Sequence, residues 1–152
     1  MNITVEAFLR YYFMREDMSD DIRPPIFYFG MSKTQPNLDG TGVSEPTIGA
    51  ITNYYRASMI ANNTNFAIGI DGDTKYVYNV EPISFSGAKV NLGTITHIFL
   101  SNGDGINVIG NVLAMGKLDI ARTIDTANSL VLMPEELKIT ITPYWGIKYE
   151  FN

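Results

Sequence analysis

The residues of this chain that could carry chemistry lie mostly in glycine-rich turns. The segment NLDGTGVSEPTIGAITNYYRAS, residues 37–58, places three glycines, two acidic residues and a proline ahead of a run that favours a strand. A glycine-rich loop that opens a helix can bind phosphate, and acidic side chains at a tight turn can bind calcium. Because a strand follows here, we expect a shaped connection without nucleotide, in which Gly40 and Gly42 take positive φ and Pro46 stiffens the exit.

Two further segments match catalytic motifs only in part. GNVLAMGKL, residues 110–118, has one residue too many between its glycines for a phosphate loop, and Leu118 stands where Ser or Thr would hold magnesium. SGAK, residues 86–89, matches the Ser-x-x-Lys of penicillin-recognising enzymes, but neither partner motif of those enzymes is present. We interpret both segments as chance matches.

The aspartates beside glycines are candidates for calcium binding. Asp39, Asp71, Asp73 and Asp104 all neighbour a glycine, but none lies in the spacing of an EF-hand loop, and plain β-turns use the same residues. His97 is the only histidine and there is no cysteine, which excludes zinc sites that need several such ligands. We interpret His97 as structural and predict no metal and no cofactor, with calcium at the Asp–Gly turns left open.

An enzyme is not favoured by the distribution of carboxylates. A glycosidase, for example, would need two carboxylates about 5–9.5 Å apart in a cleft. The acidic residues of this chain instead cluster in turns and in the segment of residues 16–21. We therefore expect a protein without catalytic residues.

The composition favours protein partners. The net charge is −5, the pI is about 4.7 and no basic cluster exists, which argues against nucleic acid because its affinity comes largely from Lys and Arg. Only 18% of the residues are charged, and such a sparsely charged surface often contacts other protein. No stretch approaches the roughly 20 apolar residues of a membrane span, and Glu6 and Arg10 interrupt the N-terminal apolar run. We expect a soluble protein with no export signal and no membrane partner.

The periodicity of apolar residues predicts one helix followed by strands. Val5, Phe8, Leu9 and Tyr12 share one face of an amphipathic helix from about residue 4 to residue 15, and Pro24 and Pro25 exclude helix beyond it. Many short segments rich in β-branched and aromatic residues follow, separated by Asn, Asp and Gly turns. We predict a mainly β fold: an antiparallel β-sandwich, jelly-roll or immunoglobulin-like, in a single domain of residues 1–142.

Several of these segments carry more detailed expectations. Leu118, Ile120 and Ile124 alternate with polar residues, as do the apolar residues of LKITIT, residues 137–142, so each strand should have one buried face. INVIGNVLAM, residues 106–115, is also predicted to be a strand. TITHIFLS, residues 94–101, is apolar on both faces at its end, which fits a central strand or a strand whose outer face meets another chain.

The C-terminal segment PYWGIKYEFN, residues 143–152, is an aromatic tail. It contains the only Trp and four aromatic residues in ten, so it either folds back on the sandwich or docks on a neighbouring subunit. Aromatic side chains of the helix and the tail are the predicted protein interface: Phe8, Tyr12, Tyr144, Trp145, Tyr149 and Phe151.

The order of segments resembles a known family of phage proteins. YFGMS and DGTGVSEP, within residues 28–46, and GTITHIFLSN, residues 93–102, are its most specific parts, and the likeness covers roughly residues 3–141. The chain resembles small tailed-bacteriophage proteins commonly labelled tail fibre or minor structural proteins. The resemblance implies a non-enzymatic virion protein, a tail-fibre or baseplate component or a capsid decoration protein. Its partners would be other virion proteins, and it would form a homo-oligomer or add to a lattice of other subunits.

A carbohydrate-binding module for host attachment is the alternative function. Such a module binds sugars on exposed aromatic rings beside Asn and Asp hydrogen-bonding groups. The tyrosines that could form such a platform on a host surface glycan are Tyr54, Tyr55, Tyr76 and Tyr78.

Overall fold

The computed structural model describes residues 10–14, 26–37 and 39–140. These residues contain a π-helical turn, Arg10–Met14, and nine strands. The strands are β1 Ile26–Ser32, β2 Ala57–Ile60, β3 Phe66–Asp71, β4 Thr74–Asn79, β5 Ile83–Ser84, β6 Gly93–Ser101, β7 Val112–Ile124, β8 Val131–Leu132 and β9 Lys138–Thr140.

All strand pairs in the described residues are antiparallel. They form a sheet of order β2-β1-β6-β7, a sheet of order β3-β4-β9 and the pair β5-β8. The prediction of a mainly β, antiparallel fold is confirmed, and the sandwich type stays a prediction. Of the predicted helix, the structure describes only residues 10–14, which form the π-helical turn, and its other residues lie outside the described ones. Phe8 and the tail of residues 143–152 lie outside the described residues.

The chain divides into two compact units. The small unit contains the π-helical turn, β3, β4 and β9, and the large unit contains β1, β2 and β5 to β8. The single domain of residues 1–142 stays a prediction, and each unit is described by itself.

The core of the large unit is built on β1 and β6. Phe27, Phe29 and Met31 of β1 are buried, and β6 pairs with β1 on one side and with β7 on the other. The end of β6 is buried over a continuous run, Ile98 to Ser101. The prediction of TITHIFLS as a central strand is therefore confirmed.

β7 is an edge strand whose register breaks in the middle. Ile95 pairs with Arg122 and His97 pairs with Lys117, so residues 118–121 of β7 lie opposite a single residue of β6. In this bulge the side chain of Ile120 faces solvent, with a fractional exposure of 74%. The predicted alternation with one buried face is thus wrong for β7, because the bulge shifts the pleat. Such a bulge also makes an edge strand a poor template for further pairing.

An aromatic ring covers a glycine where β1 pairs with β6. Gly30 lies opposite Phe99, and the buried Phe99 ring occupies the space that a Cβ at position 30 would take. The Arg56 guanidinium lies over the same ring, 5.1 Å from its centroid. The glycine therefore lets the ring lie close to the sheet and support a charged group.

The small unit is a three-stranded sheet with one buried face. Phe66, Val77 and Asn79 are buried, and the edge of the Phe13 ring meets the Phe66 ring at 5.6 Å. Asn79 holds the segment before β9, because its Nδ2 donates to the Met133 carbonyl and its Oδ1 accepts the Leu137 N–H. In β9 itself, Ile139 is half-buried between exposed neighbours, as the alternation of LKITIT predicts.

Replacing Gly30 with alanine tests the contact with Phe99. The added Cβ would overlap a ring that is buried on its other sides, so we expect the free energy of unfolding to fall by about 1–3 kcal/mol. Gly116→Ala is the matched control, since Gly116 also lies in a strand but has open space around it. We expect that control to change stability by less than about 0.5 kcal/mol. Urea denaturation measures both, and equal stability of the two variants would contradict the close contact.

Candidate functional site

The connection between β1 and β2 is a loop shaped by its own hydrogen bonds. The Asp39 carboxylate accepts hydrogen bonds from the Thr41 hydroxyl at 2.7 Å and the Thr41 N–H at 3.0 Å, and these bonds lower the pKa of Asp39. Gly40 and Gly42 take φ values of 84° and 75°. No helix begins among the described residues of this loop, and its turns and positive φ values agree with the interpretation as a shaped connection.

A buried ion pair joins this loop to the start of β2. Arg56 binds Glu45 through two parallel bonds, Nε to Oε1 at 2.9 Å and Nη2 to Oε2 at 2.8 Å. The two side chains are only 8% and 15% exposed. Burial alone would lower the pKa of Arg56, but the hydrogen bonds and charge of Glu45 outweigh it and raise that pKa. This fork geometry is the strongest arrangement that arginine and a carboxylate can form.

The Tyr54 hydroxyl connects the ion pair to β1. It donates to Oε1 of Glu45 at 3.0 Å and accepts the Met31 N–H at 2.8 Å. Burial, followed by the nearby Glu45 charge, raises the pKa of Tyr54, so the phenol keeps its proton. The ring is 1% exposed and stacks on Phe85 at 6.5 Å, which leaves no face for a sugar. Tyr54 is therefore a structural residue here, in contrast to its predicted role as a stacking platform.

The remaining Arg56 nitrogen holds the connection between β6 and β7. Nη1 donates to the Gly103 carbonyl at 2.6 Å and to the Ile109 carbonyl at 3.0 Å, which lie on opposite arms of that connection. We call residues 102–111 the β6–β7 loop. One guanidinium thus fixes the spacing of both arms of the loop.

The β6–β7 loop is closed at its base by two glycines. The backbones of Gly103 and Gly110 approach so closely that a Cβ on either would overlap the other. Asn102 Oδ1 accepts the Asn111 N–H at 2.7 Å and closes the same end. Any larger residue at either glycine would open the base of the loop.

Asp104 organises the tip of the β6–β7 loop. Its Oδ1 accepts the N–H groups of Ile106, Asn107 and Val108 at 2.8, 2.8 and 3.1 Å, and its Oδ2 accepts Nδ2 of Asn107 at 2.9 Å. Hydrogen bonds from the Val108 and Ile106 backbone, and then from Asn107, lower the pKa of Asp104 to about 2. Both carboxylate oxygens already accept hydrogen bonds from the loop itself. The arrangement at this turn therefore gives no support to the interpretation of the Asp–Gly turns as calcium sites.

The loop displays three exposed aliphatic side chains. Ile106, Val108 and Ile109 are 58%, 59% and 78% exposed, and asparagines 102, 107 and 111 flank them. The prediction of a strand over residues 106–115 is wrong at its start, since β7 begins at Val112. β-branched residues favour strands, and only the long-range Gly103–Gly110 contact reveals the loop. In the sequence, only the turn residues NGDG, residues 102–105, indicated this loop.

An open cleft of about 350 Å³ lies beside the ion pair. The β1–β2 connection and the β6–β7 loop both line it, with Thr41, Arg56, Phe99 and Ile109 among the contributing residues. Of the charged groups on its wall, Glu45 and Arg56 bind each other, and Asp39 accepts hydrogen bonds from Thr41. Within the described part of the chain, no three His, Cys, Asp or Glu residues gather as a metal-binding group.

The other predicted site residues are distributed over both units. Tyr55 is an exposed residue of the large unit, whereas Tyr76 and Tyr78 of the small unit lie together, with ring centroids 6.0 Å apart. Tyr12 is half-buried, and its ring contacts Phe13 edge-on at 5.3 Å. Its predicted interface role stays a prediction. The remaining predicted interface residues lie outside the described residues: Phe8, Tyr144, Trp145, Tyr149 and Phe151.

His97 lies in the interior of the large unit. It is buried in β6, and its Nδ1 is 2.8 Å from the Thr96 hydroxyl. This contact agrees with the interpretation as a structural histidine.

A family model for phage proteins matches residues 11–140 of this chain. Its description is "Podophage GP4 fiber I protein gp80". The chain belongs to this family. The resemblance to phage tail-fibre proteins is thereby confirmed, and membership in a fibre family implies a location in the virion. A comparison with curated proteins gave no match. The described residues of this fibre-family chain include no helix long and apolar enough to cross a membrane.

Arg56→Met should loosen the β6–β7 loop and destabilise the protein. The change removes the fork to Glu45 and both carbonyl contacts, and loss of one partner of a buried pair costs about 3 kcal/mol. Arg122→Met, at an exposed position of β7, is the matched control and should cost less than about 0.5 kcal/mol. Thermal unfolding measures the stability, and amide exchange at Gly105 measures the loop. Unchanged exchange in Arg56→Met would contradict the role assigned to Arg56.

The tip of the loop should open in acid. The pKa of Asp104 is lowered in the folded state, so its contribution is complete above the ordinary carboxyl pKa and is lost as the pH falls towards about 2. We expect the amide signals of Ile106, Asn107 and Val108 to titrate with an apparent pKa of about 2 in NMR spectra. Asp104→Ala should remove this titration and speed exchange of the same amides at neutral pH, while the Ile98 amide in β6 serves as the internal reference. A titration at the ordinary carboxyl pKa would contradict the proposed bonding.

Proposed function

We propose that the protein is a non-enzymatic structural subunit of a phage fibre, which assembles on other virion proteins through the aliphatic tip of its β6–β7 loop. The observation that supports this most strongly is the exposure of Ile106, Val108 and Ile109 on a loop held in one conformation. Membership in the fibre family supplies the setting.

The loop has the properties of a preorganised contact surface. Arg56 holds the two arms of the loop, the contact between Gly103 and Gly110 closes its base, and Asp104 holds its tip. Because the backbone is already ordered, binding loses little conformational entropy. Burial of an exposed aliphatic side chain contributes about 25 cal/mol per Å² of apolar area. The neutral asparagines around the tip resemble the polar rim of a protein interface.

Three carboxylates of the large unit support the proposal that the protein is not an enzyme. Asp39 and Asp104 each accept hydrogen bonds from their own loop, and Glu45 binds Arg56 and Tyr54. A general acid or base must be able to exchange a proton with a substrate. Carboxylates tied into backbone and side-chain networks of this kind serve the fold instead.

The proposal also concerns the position of the protein in the particle and its copy number. A fibre, a baseplate and a capsid decoration all place identical subunits in symmetric surroundings, so a homo-oligomer or a subunit bound to a lattice is expected. Immunogold electron microscopy of purified virions separates these positions. Label on the fibre supports the proposal, and label over the head favours capsid decoration.

A carbohydrate-binding module for host attachment is the second candidate function. The pair formed by Tyr76 and Tyr78 on the sheet of the small unit favours it, because neighbouring aromatic rings on a sheet surface can stack on sugar rings. The two candidate functions use different units and can be tested separately.

A triple substitution tests the contact surface. The protein with Ile106→Ser, Val108→Ser and Ile109→Ser should keep its melting temperature within a few degrees, because these side chains are exposed. It should nevertheless fail to incorporate into particles when it replaces the wild-type protein during infection. Ile120→Ser, on the exposed bulge of β7, is the matched control and should incorporate normally. Normal incorporation of the triple variant would rule out this loop as the assembly contact.

A further inference from the structure

The outer face of the small-unit sheet carries an ordered set of side chains. Because residues alternate across a strand, the register places Ala67, Tyr78 and Lys138 in one row. Gly69, Tyr76 and Thr140 form the next row. Two tyrosines therefore stand between small residues on one side and a lysine and a threonine on the other.

The Tyr76 ring lies across the sheet. Its Cζ, Cε2 and Oη atoms occupy the space that a Cβ at Gly69 would take, so the glycine allows the ring to lie over the neighbouring strand. The Tyr78 ring is 6.0 Å away and tilted by 49°. Together the rings form a shallow aromatic surface, which we call the tyrosine platform. Both rings are half-buried, and the C–H groups of a sugar ring can stack on the face of an aromatic ring that is open to solvent.

A cation stands at the tyrosine platform. Nζ of Lys138 lies over the Tyr76 ring, 4.9 Å from its centroid. Within the described residues Lys138 forms no ion pair, and its side chain is exposed. A cation–π contact at an exposed site is worth only about 0.5–1 kcal/mol. The ammonium can therefore exchange this contact for an exposed ion pair with a carboxylate, which has a similar strength of about 0–1 kcal/mol.

The position of Asp71 gives the surface a direction. Asp71 pairs with Thr74 on the same face, at the hairpin end of the sheet beyond Gly69 and Tyr76. A ligand with a negative group would be repelled by Asp71 at that end and would pair with Lys138, which lies two rows away. Because the whole chain has a net charge of −5, long-range attraction does not favour an anion, and recognition depends on this local contact.

We propose that the tyrosine platform binds an acidic oligosaccharide, with a sugar ring stacked on Tyr76 and Tyr78 and a sugar carboxylate paired with Lys138. This inference rests on the carbohydrate-binding candidate function and names its ligand class. It is independent of the β6–β7 loop, so the assembly proposal stands or fails separately.

Titration of a matched pair of glycans tests the proposal. The probes are a tetrasaccharide of galacturonic acid and its methyl ester, which has the same rings without the charges, alongside sialylated and desialylated lactose. Saturation-transfer NMR and calorimetry measure binding to the full chain. We expect each acidic probe to bind about two- to fivefold more tightly than its neutral counterpart, a difference of about 0.4–1 kcal/mol.

Three variants locate the binding site. Lys138→Met should reduce the affinity for the acidic probes to that of the neutral ones. Gly69→Ala should lift the Tyr76 ring and weaken both kinds of probe, as should Tyr76→Ala combined with Tyr78→Ala. Lys117→Met, at an exposed lysine of β7 in the large unit, is the matched control and should bind like the wild type. Circular dichroism and thermal melting confirm that each variant is folded.

Each outcome decides one part of the proposal. Equal binding of acidic and neutral probes, or no effect of Lys138→Met, would overturn the acidic class while retaining a carbohydrate-binding function. Binding that survives the tyrosine substitutions would overturn the assignment to this surface. No binding of any probe at millimolar concentration would overturn both the inference and the second candidate function, and would leave the assembly proposal untouched.

Discussion

Glu45 and Arg56 bring opposite charges to positions where their side chains are largely buried, and removing charges from water costs several kcal/mol unless their donors and acceptors are satisfied. The chain meets this demand by bringing other segments to the pair. The Tyr54 hydroxyl binds Glu45, and two carbonyls of the β6–β7 loop bind Arg56. Because these bonds are needed to satisfy the buried pair, they hold the β1–β2 connection and the β6–β7 loop in one arrangement, which the strand pairing alone would not determine.

Glycine opposite an aromatic residue is used twice in this chain, with different results. Phe99 covers Gly30 in the large unit and lies beneath the Arg56 guanidinium, where it forms part of the support for the buried pair. Tyr76 covers Gly69 in the small unit and stays partly open to solvent beside Lys138. The same local geometry thus gives a core contact in the large unit and a surface feature in the small unit. The difference comes from the group over the ring, which is the buried Arg56 for Phe99 and the exposed Lys138 for Tyr76.

Local signals in the sequence predicted those parts of the fold that depend on neighbouring residues. Strand-favouring runs, positive φ at Gly40 and Gly42, and the central position of β6 all follow from nearby residue types. The bulge in β7 does not, because a register shift is set by pairing with β6. The site was more difficult to predict. Arg56 binds partners that lie 11 to 53 residues away in the sequence, and no local pattern indicates such contacts. The buried role of Tyr54 was missed for the same reason.

These contacts show how some of the few charged side chains of this protein are used. Only 18% of the residues are charged, and in the large unit Asp39, Glu45, Arg56 and Asp104 direct their charges towards the chain itself. The tip of the β6–β7 loop is flanked by neutral asparagines, and its carboxylate Asp104 already accepts hydrogen bonds from the loop, so removing the tip from water against another protein carries a smaller penalty. Groups that stabilise the loop from within therefore also make its surface suitable for contact. A structural subunit needs this combination, since its surface must keep one shape before its neighbours arrive.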